Sequence, residues 1–471
     1  MARAPFNNLA AAALLAAFAA AHLPLLGLPF HWDELGYFVP AALDLWREGL
    51  AVPRSTLANV HPPGLSLYLS AIWSLAGYSV AVTRAAMLAV GLAAALLSWR
   101  LAIALGVRAP LAALVFLLAS PLFFMQSAMA QLDMPAMLFT SAALLLFLRG
   151  YMAGALAAAL ALVLVKETGL VLPLALAGWL AFERRPRWAA AFALLPAAAL
   201  AAWVLYLRSA TGHAAGNEEF GWYNLVYPLH PVRLGAAVLR RLSYMFYEEF
   251  RWIATGAIVL AWRRGAFRSR EWRVAATVAA IHVAAVTVAG GAVLERYLLP
   301  ALAVLYAAAA AALDGRRLWQ AALALGLAVS LFWNPPFWPF PHENNLAMVD
   351  FVRLQKDAAA YLEQRHAGRT VATSWPLTDA LLRPEAGYVA RPLHAVAAER
   401  GEVTVVYSRD WDPPLSLFRL GPARALAERY FGYRAPRRPE GARLERRWER
   451  GGFWLEVYTA DVPGGAADAS K

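Results

Sequence analysis

Long apolar runs recur along the chain from Leu9 to Phe332, separated by short polar stretches that hold most of the arginines. A helix rises about 1.5 Å per residue, so roughly 20 apolar residues cross the hydrocarbon of a bilayer. Runs near that length predict eleven membrane-spanning helices, at Leu9–Leu28, Ala81–Leu101, Leu111–Met125, Met134–Leu148, Ala153–Val165, Leu170–Phe182, Ala189–Leu207, Trp252–Trp262, Val274–Gly291, Leu298–Ala312 and Leu318–Trp333. The first is rich in small residues, like a signal peptide, but its length and the many runs behind it predict an uncleaved helix. Pro29–Val60 is mixed polar and aromatic, and its apolar spacing at Tyr37, Phe38, Leu43, Leu45 and Trp46 predicts a short helix on the membrane surface. His61-Pro62-Pro63-Gly64 then breaks the chain, and the apolar Leu65–Ala76 is short for a span.

After Trp333-Asn334-Pro335-Pro336-Phe337-Trp338-Pro339 the pattern turns polar. Asp350–Arg365 and Pro422–Tyr430 have helical spacing, the second starting at Gly421-Pro422, whereas Thr370–Thr373, Val403–Ser408 and Phe453–Tyr458 read as strands. Asp410 and Asp412, flanking Trp411 ahead of Pro413, fit acceptor binding or equally a turn. The expected organisation is a polytopic α-helical membrane domain over 1–335, a small α/β domain over 341–463 and a disordered tail over 464–471. No internal repeat of fixed period is visible.

Composition agrees: 61% of residues are hydrophobic and 16% charged, against about a quarter charged in soluble domains. The net charge of +12 does not call for nucleic acid, because its distribution has a membrane explanation. With residue 1 inside, the alternation of eleven spans puts Arg3, Arg108, Arg149, the arginines of 184–187 and 263–273, and Arg316-Arg317 in the inside loops. These thirteen arginines face only Glu183, Glu271 and Asp314 there, the charge bias that orients multi-pass proteins. The α/β domain is then extracytoplasmic, and the expected location is a plasma membrane, the inner membrane of a bacterium. The absence of cysteine excludes disulfides, thiolate nucleophiles and Cys-ligated metals.

The same alternation places Asp33, Glu34, His61, Asp133, Lys166, Glu167, Glu295 and Arg296 at the outer ends of spans. Ionisable groups at membrane depth are costly and mark sites unless they are interfacial or paired. Asp33 and Glu34 are either a solvated pair or a base beside a positioning group, since neighbours on a helix point about 100° apart. Asp133, ahead of Met134-Pro135, is either a helix N-cap or a partner of Asp33 in one site. Those two aspartates also suggest a divalent cation bound through oxygen, the one cofactor considered. Lys166-Glu167 interrupts an apolar stretch, as a salt bridge, a snorkelling lysine or a lysine offered to a phosphate. Arg296 and Tyr297 suit either interfacial anchoring or phosphate oxygens. The loop 209–243, with Glu218, Glu219, Trp222, Tyr223, Arg240 and Arg241, fits sugar or headgroup recognition or an amphipathic interfacial helix.

The order of these pieces resembles the GT-C class glycosyltransferases, in the branch of the protein O-mannosyltransferases and lipid A aminoarabinose transferases. The resemblance rests on Asp33-Glu34 with Tyr37 after the first span, His61-Pro62-Pro63-Gly64 before an apolar run, Asp133-Met134-Pro135, Lys166-Glu167 and Arg296-Tyr297-Leu298-Leu299-Pro300, over residues 7–335. It implies transfer of a sugar from a polyprenyl-phosphate donor to a glycan, lipid or protein acceptor, with inversion, on the extracytoplasmic face. Asp33 would be the general base, Glu34 and Asp133 would position acceptor or donor, and Lys166, Arg296, Tyr297 and His61 would hold the lipid phosphate; some relatives carry lysine at the His61 position. The alternative is a lipid or solute transporter with an outer accessory domain, which predicts charges at the bilayer midplane and often a repeat.

Overall fold

The chain breaks into helices where the apolar pattern is cut by proline, glycine or charge. A computed structural model describes residues 3–333, 343–408, 420–432, 434 and 436–460. The aspartates at 410 and 412, the segment 334–339 and the tail 464–471 lie outside the described residues. Two compact units emerge, one from residues up to 26, 37–334 and 343–345, the other from 27–36 and most of the chain beyond 345.

The first unit is helical: α1 (Arg3–His22), α2 (Val39–Glu48), α3 (Gly64–Ala76), α4 (Val80–Ala104), α5 (Pro110–Ala119), α6 (Pro121–Gln126), α7 (Asp133–Leu148), α8 (Met152–Val165), α9 (Val171–Phe182), α10 (Pro186–Thr211), the single turn α11 (Glu218–Gly221), α12 (Pro231–Phe246), α13 (Arg251–Arg263), α14 (Arg270–Val288), α15 (Leu299–Ala312) and α16 (Arg317–Ser330). Among the described residues five stretches are long and apolar enough to cross a bilayer: Asn7–Leu25, Val80–Ala104, Pro186–Thr211, Arg270–Val288 and Glu295–Ala312. The protein is thus a multi-pass membrane protein, with shorter apolar helices beside these five.

Local chemistry explains where the boundaries depart from the apolar pattern. The expected span Leu111–Met125 is two helices, because Ser120 is extended (ψ 123°) and Pro121, which has no N–H to give, starts α6. α14 starts at Arg270 because the Ser269 hydroxyl caps the Trp272 N–H. Of the two readings of 209–243, an amphipathic helix is present: α12 buries Ala237, Arg241, Tyr244 and Met245 and exposes Val238, Leu239 and Leu242. The interior helix is α15, alanine-rich and buried around almost its whole circumference, packed on α5, α7, α13 and α14. Small side chains allow such close helix approach where burial from water offers no drive.

The second unit holds α17 (Ala347–Arg365), β1 (Val371–Thr373), α18 (Leu377–Leu382), β2 (Ala395–Ala397), β3 (Val403–Tyr407), α19 (Gly421–Tyr430), β4 (Ala442–Arg450) and β5 (Phe453–Ala460). The sheet order is β2-β1-β3-β5-β4, with β1 parallel to β2 and β3, and β5 antiparallel to β3 and β4. Its central strands β1 and β3 are wholly buried and read as apolar runs, whereas β4 is an edge strand without a buried residue. Residues 27–36 join this unit. The Phe30 N–H donates to the Ala386 carbonyl at 3.0 Å, and the rings of Trp32 and Trp375 meet edge-on at 4.6 Å.

Candidate active site

Three helix boundaries bring together one set of buried charges in the first unit. Asp133 is the first residue of α7 but does not cap it; Leu132 is the N-cap and no side-chain cap bond forms. Instead its Oδ1 accepts from Lys166 Nζ at 2.5 Å and its Oδ2 faces Arg296 Nε at 3.1 Å. A carboxylate at this position also meets the positive end of the helix dipole.

Lys166 ends α8 in an extended conformation (φ −148°, ψ 126°), and a 3-10 turn, Glu167–Leu170, leads into α9. An extended residue sends successive side chains to opposite sides, so the Lys166-Glu167 pair splits between two partners. Glu167 Oε2 pairs with His61 Nδ1 at 2.7 Å. His61 is brought there by its own motif: a Cβ at Gly64 would lie 2.5 Å from the Leu164 carbonyl oxygen, so only glycine lets α3 start against the end of α8. His61 also lines a cleft with Tyr37, Phe38, Asn59, Leu65 and Trp203.

Arg296 and Tyr297 lie in another 3-10 turn, Glu295–Leu298, just ahead of α15. Successive side chains of such a turn point about 120° apart, and here they reach three targets. Glu295 pairs with Arg240 of α12. Arg296 reaches Asp133 and, through Nη1, Glu343 Oε2 at 2.5 Å. The Tyr297 ring takes the Lys166 ammonium at 4.1 Å from its centroid, with the guanidinium carbons of Arg241 and Arg296 at 5.7 and 5.8 Å. A ring's negative face attracts cations, more so when they are desolvated. The backbone of this turn is pinned as well, with the Tyr297 carbonyl accepting from His282 Nε2 at 2.8 Å. Asp133, Lys166, Tyr297 and His282 wall a slot completed by Thr140, Thr168 and the apolar Leu162, Leu172, Val278 and Pro300.

The predicted residues therefore divide. Asp133, Lys166 and Arg296 form one buried cluster around half-buried Tyr297, His61 and Glu167 pair beside it, and Glu295 turns away to Arg240. Asp33 and Glu34 belong to the second unit. Glu34 is fully buried and accepts the His31 N–H at 3.1 Å while its own N–H returns to the His31 carbonyl, closing a turn that contains Trp32 at φ 52°. Asp33 is half-buried within that turn.

Sequence reasoning missed Glu343 and His282. Glu343 is 1% exposed and lies 47 residues beyond Arg296 in a short polar stretch, where no periodicity marks it. His282 sits in an apolar helix and was legible only as an isolated polar interruption. Among the described residues no group of three or more His, Asp or Glu side chains is arranged to hold a metal ion. Of the two aspartates considered for a divalent cation, Asp133 has one oxygen on Lys166 and the other on Arg296.

No protein-family model matches the chain, and no curated protein matches it in sequence. Solved structures do. The chain is similar to the crystal structure of ArnT from Cupriavidus metallidurans bound to undecaprenyl phosphate, with a TM-score of 0.58 over 98% of this chain and 99% of that one, at 16% identity. The apo structure of the same protein gives 0.56 over 95% and 98%, again at 16% identity. At this identity the likeness is one of fold, and it extends over essentially the whole chain. The fold is the one implied by the resemblance to the GT-C transferases.

Proposed function

We propose that this protein is a membrane glycosyltransferase that moves a sugar from a polyprenyl-phosphate carrier to an acceptor hydroxyl on the extracytoplasmic face, with inversion. The observation that carries the reading is the cluster of buried Asp133, Lys166 and Arg296 around half-buried Tyr297, of which Asp133, Lys166 and Tyr297 line the slot beside apolar side chains. Two cations with an aromatic ring beside hydrocarbon suit a phosphate on a lipid tail. The ArnT structure of the same fold is bound to undecaprenyl phosphate, which supports a carrier of that class here.

In this reading the lipid phosphate is the leaving group. The acceptor oxygen attacks the anomeric carbon as its proton passes to the Asp33 carboxylate. The bond from that carbon to the phosphate oxygen breaks, and Lys166 and Arg296, with His61 and Tyr297, stabilise the charge left on the phosphate. Glu34 and Asp133 position donor or acceptor, Glu167 orients His61, and Glu295 steadies Arg240. The arginine-rich loops support eleven spans with residue 1 inside, a catalytic domain over 1–335 and an extracytoplasmic α/β domain over 341–463, in a bacterial inner membrane. A transporter would carry its charges within spans. Here Asp133, Lys166 and Arg296 each stand at a helix boundary, which favours the enzyme.

The test is binding of a radiolabelled polyprenyl phosphate to the purified protein. Lys166→Met is expected to weaken binding roughly ten- to hundredfold, the worth of a hydrogen bond to a charged group. Tyr297→Phe, which keeps the ring, is expected to lose only a few-fold. Unaltered affinity in Lys166→Met places the phosphate elsewhere.

A further inference from the structure

One buried carboxylate has no part in the chemistry above. Glu343 Oε2 accepts from Arg296 Nη1 at 2.5 Å and its Oε1 from Gln131 Nε2 at 3.3 Å, while Gln126 Nε2 reaches the Glu343 carbonyl at 3.4 Å. Gln126 and Gln131 are both fully buried. A guanidinium and an amide, one on each oxygen of an anion, are also the donors that two phosphate oxygens take. The charges alternate from Glu343 to Arg296 to Asp133 to Lys166, two negative and two positive. Among these four side chains the charges cancel, and the Arg241 guanidinium over the same Tyr297 ring is a further cation nearby.

For a phosphate to take donors that a carboxylate now holds, that carboxylate must leave them, and the two differ in how they are held. Asp133 is fixed in the first turn of α7 with a cation on each oxygen. Glu343 stands in a turn that belongs to no helix or strand. We propose that Glu343 is an internal stand-in for the lipid-linked phosphate. It occupies Arg296 and Gln131 in the empty site, yields them to the donor, and returns as the product leaves. The inference rests on the proposed function. Without Glu343, the set Lys166, Arg296 and Asp133 has one positive charge in excess, which matches a phosphodiester donor with a single negative charge. The product is a phosphomonoester of roughly −1.5 to −2 near neutral pH, and is held more tightly. A competing carboxylate on the same chain loosens it.

The experiment is binding of a polyprenyl phosphate to the purified full chain as wild type, Glu343→Gln and Glu343→Asp, with KM and kcat for transfer alongside. A stand-in predicts that Glu343→Gln binds the lipid phosphate roughly tenfold more tightly and lowers both KM and kcat. Glu343→Asp, whose carboxylate is drawn back by one methylene, falls between, and it carries the test if Glu343→Gln does not fold. A carboxylate that merely holds Arg296 in place predicts the reverse, weaker binding in both variants. Equal or weaker binding in a folded variant overturns this inference while leaving the proposed function standing. Absence of polyprenyl-phosphate binding in all three proteins overturns both.

Discussion

Lys166 and Asp133, 33 residues apart in the chain, meet with nitrogen and oxygen 2.5 Å apart and both side chains almost fully buried. Removing one member of such a pair strands a charge, at a cost of about 3–5 kcal/mol, whereas replacing both by neutral groups is often tolerated. Asp133→Asn is therefore expected to lower the unfolding midpoint in detergent strongly. Adding Lys166→Met to it is expected to recover much of that loss without recovering transfer. Thermal unfolding of the two variants beside a transfer assay separates the structural part of the pair from the chemical one.

The glycine of the His61-Pro62-Pro63-Gly64 motif is expected to be indispensable. An added methyl at Gly64 collides with the Leu164 carbonyl oxygen, and backbone cannot move aside as a flexible side chain can. Gly64→Ala should lose stability and, by pushing His61 from Glu167, activity. Gly178, inside α9 with nothing within 4 Å of an added Cβ, is the contrast. There alanine should be neutral or stabilising by up to about 1 kcal/mol. Paired unfolding curves check both.

Much of the first unit was legible because membrane helices announce themselves by length and composition, and Lys166-Glu167 stood out as charge within an apolar run. Other features were hidden for physical reasons. The break between α5 and α6 hangs on one extended serine ahead of a proline inside a run that stays apolar. β4, Ala-Arg-Leu-Glu-Arg-Arg-Trp-Glu-Arg, is an edge strand whose exposed faces need no apolar alternation. Asp133 has the sequence context of a helix cap, and only tertiary packing gives its carboxylate to Lys166 and Arg296. Residues 29–36 read as part of a surface segment, yet Trp32 meets Trp375 more than three hundred residues later, a pairing no local pattern encodes. Glu343 was hidden for the same reason.

The second unit should be sensitive to acid through Glu456. Burial pushes this carboxyl up, but hydrogen bonds from Arg438 and Tyr458 and the charges of Arg438 and Arg447 outweigh burial and hold it below its ordinary value of 4.5. A group lowered on folding contributes stability that is present above its unfolded value and is lost as the pH falls through the folded one. The amides of β5, which carries Glu456, and of its neighbour β3 should exchange faster as the pH drops below about 4.5, after correction for intrinsic exchange. Glu456→Gln should start from lower protection at neutral pH and lose this component of the pH dependence.

The most direct test of the account is transfer of labelled sugar from a polyprenyl-phosphate donor pool in membranes containing the wild type or Asp33→Asn. The account predicts transfer by the wild type and its collapse, by roughly a hundredfold or more for loss of a general base, in a normally inserted variant. Equal transfer by both proteins would contradict the role of Asp33. Absence of transfer with every donor, together with measurable flux of a lipid or solute, would contradict the enzyme itself.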